Sequence, residues 1–236
     1  RGAARLGAAL VRNATLTSLD LSHNPIRSKG ADHLARALEE NRTLKRLELS
    51  ACGIDSEGIV VIAFALLKNP VVEFLDISEN EVGKEGSKAL SNALFINTTL
   101  QTLDLTDTQI GMAGAELIAK VFRKNSNLKE IFLRGNQIRD PGAQALARSL
   151  AHNYTLCKLD LGFNFITEVG INSFKVALQT PSSTVPEKKL LNLDIDFTGN
   201  AISENQPHLA RSKQRVSFST TDRFDVSHLS RQLQAP

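Results

Sequence analysis

The sequence predicts an α/β solenoid: one elongated domain of stacked repeats sharing a continuous core. Three observations carry the prediction. A stretch beginning Leu16-Thr-Ser-Leu19-Asp-Leu21-Ser-His-Asn24-Pro-Ile26 restarts 28 residues later at Leu44, and again at Val72, Leu100, Leu128 and Leu156. Each start alternates apolar and polar residues (Leu19-Asp-Leu21, Leu47-Glu-Leu49, Leu75-Asp-Ile77), the mark of a half-buried strand. Each second half carries apolar residues at helical spacing. Units this small cannot bury an apolar face alone, so they must stack.

Taken in order, Gly2 to Thr15 is half a unit. Gly2, Leu6 and Leu10 stand 28 positions before Gly30, Leu34 and Leu38, and no strand precedes them. The chain starts at Arg1, inside a repeat and without Met, so further repeats or a cap are expected upstream in a longer protein. The strand cores read L-x-x-L-x-L-x-x-N with conservative swaps. Their Asn slot holds Asn24, Cys52, Asn80, Thr108, Asn136 and Asn164. A small polar group there can bond the neighbouring turn, which a buried loop requires.

The helical halves carry a glycine column (Gly30, Gly58, Gly86, Gly114, Gly142, Gly170). Behind it run Leu34, Ile62, Leu90, Ile118, Leu146 and Phe174, then Leu38, Leu66, Leu94, Phe122, Leu150 and Leu178, one stripe facing the sheet. Arg36, Glu39, Lys88 and Arg148 fall on the opposite face.

The seventh unit is interrupted by an insert at 180–189, a surface loop by composition. The strand and loop resume at Ile195-Asp-Phe197-Thr-Gly-Asn200-Ala-Ile202. We expect a repeat domain over 1–202, with a partial first repeat and seven strand units, and a non-repeat tail or cap over 203–236. The tail is rich in Ser, Gln and Arg, a composition that favours disorder. It either folds back over the exposed core of the last repeat or lies on a partner. Phe218, Phe224 and Leu229 are the candidate anchors in both cases.

Composition narrows the function. A net charge of +3 is too small to imply nucleic acid or an acidic membrane. The two cysteines, Cys52 and Cys157, lie nearly four repeats apart, too far for a disulfide in a stack. That favours a reduced, intracellular setting. No apolar run is long enough to span a bilayer, and no signal peptide is evident.

These residues resemble the leucine-rich repeat family, and more narrowly its ribonuclease-inhibitor-like branch. The resemblance rests on the 28-residue unit, a true helix in each second half, and the G-A-x-x-L-A-x-A-L-x-x-N-x-T-L wording of Gly30 to Leu44. It covers Gly2 to Ile202. It implies a right-handed horseshoe arc with a parallel sheet on the concave side, helices on the convex side, and a role in binding proteins. Two departures separate the chain from particular relatives. It has two Cys and no Trp, unlike the cysteine-rich ribonuclease inhibitor, and its tail is mildly basic where the Ran-activating relatives are acidic.

Within that fold, strand side chains between the buried leucines point to the concave face. The position inside each L-x-L step reads Asp20, Glu48, Asp76, Asp104, Phe132, Asp160, Asp196. Its six carboxylates make an acidic ridge, either a groove for a basic segment or a solvated feature of the slot. Phe132 breaks the ridge. With Phe74, Arg134, Lys158, Phe163 and Phe165 it forms the candidate partner-binding site, since exposed aromatics beside cations make interface hot spots. The alternative is that Phe163 or Phe165 packs against an adjacent loop or the tail.

Four sequons, at Asn13, Asn41, Asn97 and Asn153, share one repeat slot where Asn ends the helix, which explains them without glycans. Asp20, Ser22 and His23 are close in sequence, but on one exposed strand end without oxyanion donors they make no triad. No Cys and His spacing suggests zinc and no Gly-rich turn suggests a phosphate site, so neither cofactor nor metal is expected. The expected function is a non-catalytic scaffold or regulatory subunit of a larger intracellular hetero-complex, such as a cytoskeletal or ciliary one, with a cytoplasmic or cytoskeletal location, binding other proteins and neither nucleic acid nor membrane. The alternatives are a small-GTPase activator resembling the Ran activators and the ligand-sensing repeats of an innate immune receptor.

Overall fold

The computed structural model describes residues 2–179, 193–200 and 215–218, with the side chains of 179 and 215–218 left aside. These residues form seven helices and eight strands. The helices are α1 (Gly2–Arg12), α2 (Arg27–Glu40), α3 (Ser56–Lys68), α4 (Gly83–Leu94), α5 (Gly111–Phe122), α6 (Arg139–Leu150) and α7 (Glu168–Gln179). The strands are β1 (Ser18–Asp20), β2 (Arg46–Glu48), β3 (Phe74–Asp76), β4 (Thr102–Asp104), β5 (Glu130–Phe132), β6 (Lys158–Asp160), β7 (Leu193–Asp196) and β8 (Arg215–Phe218).

One sheet runs β1 to β8 in sequence order. The first seven strands are parallel, and the first six pair in register at offsets of 28 residues, so Leu19, Leu47, Leu75, Leu103, Ile131 and Leu159 stack in one row. The insert lengthens the last parallel step, which pairs Leu159 with Ile195. Strand, helix and strand repeat around a single apolar core, the α/β solenoid with its sheet concave and its helices convex. β8, from the tail, pairs antiparallel with β7 and covers its outer edge.

Each strand is only three or four residues long, so side-chain ladders must hold the turns. Two asparagine ladders do so. In the first, Asn80 accepts from the backbone N–H groups of Cys52 (3.2 Å) and Ile54 (2.9 Å) of the preceding repeat. Its amide donates to the carbonyls of Leu49, Ile77 and Ser78. Asn136, Asn164 and Asn200 repeat the pattern down the stack. Where the slot is not Asn, the Thr108 hydroxyl donates to Leu105 O at 2.6 Å and the Cys52 thiol to Leu21 O at 3.2 Å.

The second ladder lies at the helix ends. Asn41, Asn69, Asn97, Asn125 and Asn153 each donate to the carbonyl 31 residues earlier, at 2.6–2.8 Å, and accept from the N–H groups two and three residues on. Asn41 and Asn97 are buried, so these two sequon amides face a neighbouring turn instead of solvent.

Each helix starts tightly on the apolar residue of its own loop and lies close to the preceding helix because glycine clears the space. A Cβ at Gly30, Gly58 or Gly142 would come 2.5–2.6 Å from the isoleucine methyl four residues earlier. The apolar stripes behind those glycines are buried, including Leu34, Ile62, Leu90, Ile118, Leu146 and Phe174. At the last repeat, Phe174 and Phe197 close the core edge to face, centroids 5.2 Å apart.

Candidate protein-interaction surface

The concave face is a grid. Rows follow strand position and columns follow repeats about 4.8 Å apart. The first strand position holds Ser18, Arg46, Phe74, Thr102, Glu130, Lys158 and Asp194, and the third holds Asp20, Glu48, Asp76, Asp104, Phe132, Asp160 and Asp196.

The carboxylates of the third row have a structural task. Asp20, Asp76, Asp104, Asp160 and Asp196 each accept, at 2.8–2.9 Å, from the backbone N–H two residues on. Each turns the chain out of its strand by an Asx turn. Glu48, one methylene longer, instead accepts from Arg46 Nε at 2.8 Å. The ridge is therefore not an electrostatic luxury, although like charges in register repel.

Its charge is also uneven. The Ser22 backbone N–H holds the exposed Asp20 carboxyl below the usual range. Burial pushes Asp104 and Asp160 upward, and neighbouring carboxylates of the row add to it. Ionisation is thus eased at Asp20 and resisted at Asp104 and Asp160.

The structure brings together most of the sequence-predicted site. Lys158 Nζ lies 4.7 Å from the Phe132 ring centroid. The Arg134 guanidinium lies 4.3 Å from the Phe163 centroid. Phe74 sits apart from these, with the Arg46 guanidinium 3.4 Å from its centroid. Arg46 is a residue that reading along single strands misses, yet it stands 28 positions before Phe74 and could be found by reading across repeats. Phe132 is half-buried among its neighbours and not fully outward.

Phe163 and Phe165 lie on the rim, 50% and 62% exposed, with φ of 52° and 57°. Phe163 occupies a slot whose backbone is left-handed in every described repeat, where His23, Ala51, Glu79, Asp107, Gly135 and Gly199 hold it. A bulky residue there costs on the order of 1–2 kcal/mol. Phe163 also packs on the adjacent loop, since a Cβ at Gly199 would lie 2.6 Å from its ring. Of the tail anchors, Phe218 ends β8 opposite Leu193, while Phe224 and Leu229 lie outside the described residues.

Elsewhere a trough of about 700 Å³ runs along the opposite rim, past Tyr154 and Cys157. Its cations already have partners there, Lys45 on Glu73 at 2.9 Å and Lys129 on Gln101 at 2.8 Å. Burial pushes the Cys52 thiol up, away from reactive thiolate. Among the described residues no group of three or more His, Cys, Asp or Glu could hold a metal ion. No helix among them is long and apolar enough to cross a membrane.

Fold and surface together define a class, an open α/β repeat arc whose chemistry lies on its outside. A leucine-rich repeat model matches residues 12–35, 40–63, 68–91, 97–119 and 124–147, about half of the chain. The chain belongs to the leucine-rich repeat family. Among solved structures it is similar to the tropomodulin C-terminal domain of Caenorhabditis elegans, with a TM-score of 0.55, 11% identity, and coverage of 65% of this chain and 94% of that one. It is also similar to the actin-binding site 2 of leiomodin-1, with a TM-score of 0.51, 23% identity, and coverage of 54% of this chain and 76% of that one. At these identities the likeness is one of fold. No curated protein matches the sequence significantly.

Proposed function

We propose that this chain, of the ribonuclease-inhibitor-like branch, is a non-catalytic protein-interaction module. It acts as a scaffold or regulatory subunit of an intracellular assembly and takes its partner on the concave face around Phe132. One observation carries the reading: three aromatic rings on or beside that face, Phe74, Phe132 and Phe163, each held against a cation. Such pairs present large, preformed contact area at low ordering cost. The exposed rings of Phe163 and Phe165 beside it support the reading, because aromatic surface open to solvent next to a cation is contact area a partner can bury.

Actin is the first candidate partner, since the similar leiomodin-1 fragment is an actin-binding site. A cytoskeletal complex is the setting this implies. The test is co-sedimentation with actin filaments and monomer binding by fluorescence anisotropy, with wild type and the Phe132→Ala/Arg134→Ala variant. We expect wild type to bind and the variant to lose at least about tenfold in affinity, or ~1.4 kcal/mol, with an unchanged melting curve. Equal affinity in both would move the site off this face, and a wild type that binds neither form of actin would remove actin as the partner.

A further inference from the structure

The outer face of α3 departs from the helices beside it. In α2 the two outward slots hold Asp32 and Arg36, ion-paired at 3.1 Å. The same slots hold Lys88 and Asn92 in α4, Glu116 and Lys120 in α5, and Gln144 and Arg148 in α6. In α3 they hold Val60 and Phe64. Phe64 is 57% exposed, and Leu67 is half-buried one turn on. The core does not ask for these residues, because Ile59, Ile62 and Leu66 already fill the inward stripe. Beside Phe64 a groove of about 230 Å³ opens between α3 and α4, floored by Val60, Ala63, Leu67 and Ala89 and rimmed by Glu85 and Lys88. Phe95 and Ile96, just past the end of α4, are exposed as well.

We infer that two copies of this chain associate through α3, packed antiparallel about a two-fold axis near the middle of the helix. Three features select a second copy over a foreign helix. Glu57, Val60, Phe64 and Leu67 are spaced three, four and three residues apart, the seam by which one helix packs on another. The helix carries Glu57 in its first turn and Lys68 in its last. Antiparallel pairing sets each against its opposite on the second copy, whereas parallel pairing sets like against like. Lys68 already meets Glu39 at 2.8 Å, but its ammonium is well exposed and has donors to spare. The third feature is shape. Each copy offers both a protruding ring, Phe64, and a groove next to it, so a two-fold contact fills both grooves at once, the geometry of an isologous dimer.

This surface lies on the convex side, away from the site proposed for the partner, and the two stand or fall separately. The test is sedimentation velocity and light scattering from low to high micromolar chain. We expect twice the single-chain mass of 25.7 kDa. Phe64→Glu should return the single-chain mass with an unchanged circular dichroism spectrum, and Phe64→Ala reads the same way should the charged variant disturb folding. Asp32→Ala/Arg36→Ala on α2 should leave the dimer intact. Glu57→Lys should weaken association at least tenfold, and adding Lys68→Glu should restore it. Wild type that stays monomeric at high micromolar, or dimers that survive the loss of Phe64, would overturn the inference. Association indifferent to Glu57→Lys would overturn the antiparallel arrangement.

Discussion

Replacing Asn80 by alanine tests the physics that holds the arc together. The amide of Asn80 accepts two backbone N–H groups from the previous repeat and donates to three carbonyls, and the residue is only 3% exposed. Alanine removes every one of these bonds and leaves no room for bulk water. Two buried N–H groups and the carbonyls of Leu49, Ile77 and Ser78 then lose their side-chain partner, and of these Ser78 keeps the Ala51 N–H. At about 1–3 kcal/mol for each unsatisfied buried group, partial relaxation and a trapped water bring the expected loss to about 3–6 kcal/mol. That is a large part of the ~5–15 kcal/mol that stabilises an ordinary domain. The control is built into the same ladder. Asn24 occupies the same slot at the exposed N-terminal end and donates only to Leu21 and Ser22. Asn24→Ala should cost less than about 1 kcal/mol, since water replaces its bonds. Urea unfolding followed by circular dichroism measures both variants beside wild type. Because repeat arrays can unfold in parts, the slope of the transition must be compared along with its midpoint. A loss below ~1 kcal/mol at Asn80, or equal losses at the two sites, would refute the reasoning that buried ladder bonds carry the stack.

The ridge and the core give two more tests. Asp104→Asn keeps the acceptor for Thr106 N–H and removes a charge that burial disfavours. A carboxyl whose folded value is raised above its unfolded one destabilises the fold once pH exceeds the unfolded value, and most fully above the raised one. The variant should therefore melt higher than wild type at pH 7, with the gap closing as pH falls through the raised range. Asp20, held low, should behave oppositely: Asp20→Asn gains nothing at pH 7, and its contribution fades as pH falls through its lowered value. A thermal melt series across acid pH reads both, and the same sign at both sites would refute the assignment. Leu103, with no exposed surface in the middle of the sheet, should tolerate no charge. Leu103→Asp should cost more than about 3 kcal/mol by burying an unpaired carboxylate, and an unchanged melting curve would refute its place in the core row.

The fold was legible because the repeat says the same thing several times. Leu47, Gly58 and Ile62 each take their role from period alone, and the structure places each where the period puts it. What escaped lies across the repeats instead of along them. The bond from Asn41 to Leu10, 31 residues back, belongs to a ladder visible only when turns are stacked. Read along the chain, Asn41 is only a helix stop. The pairing of Arg46 with Phe74 escaped for the same reason. Strand β8 escaped for another: Arg215-Val-Ser-Phe218 is too short to announce a strand, and only the open edge of β7 makes it one.

The acidic row shows how a repeat can mislead a functional reading. Six carboxylates in register look like a binding field, yet five of them form Asx turns at the strand ends, and that task is needed whether or not a partner exists. A residue that recurs in every repeat is explained by the repeat. The informative positions are those where one unit departs from its neighbours at a cost or without a gain to the core. By that criterion Phe132 in a row of carboxylates, Phe163 and Phe165 as exposed rings in slots that the earlier repeats give to His23, Ala51, Glu79, Asp107 and Gly135 or to Pro25, Gly53, Glu81, Gln109 and Gln137, and Val60 and Phe64 in slots that α2, α4, α5 and α6 fill with polar or charged residues stand out from the grid. The first three lie on or beside the concave face and the last two on the convex face, so the arc presents two independent apolar surfaces. Removing Phe132 or Phe64 should change association without changing the fold that carries them.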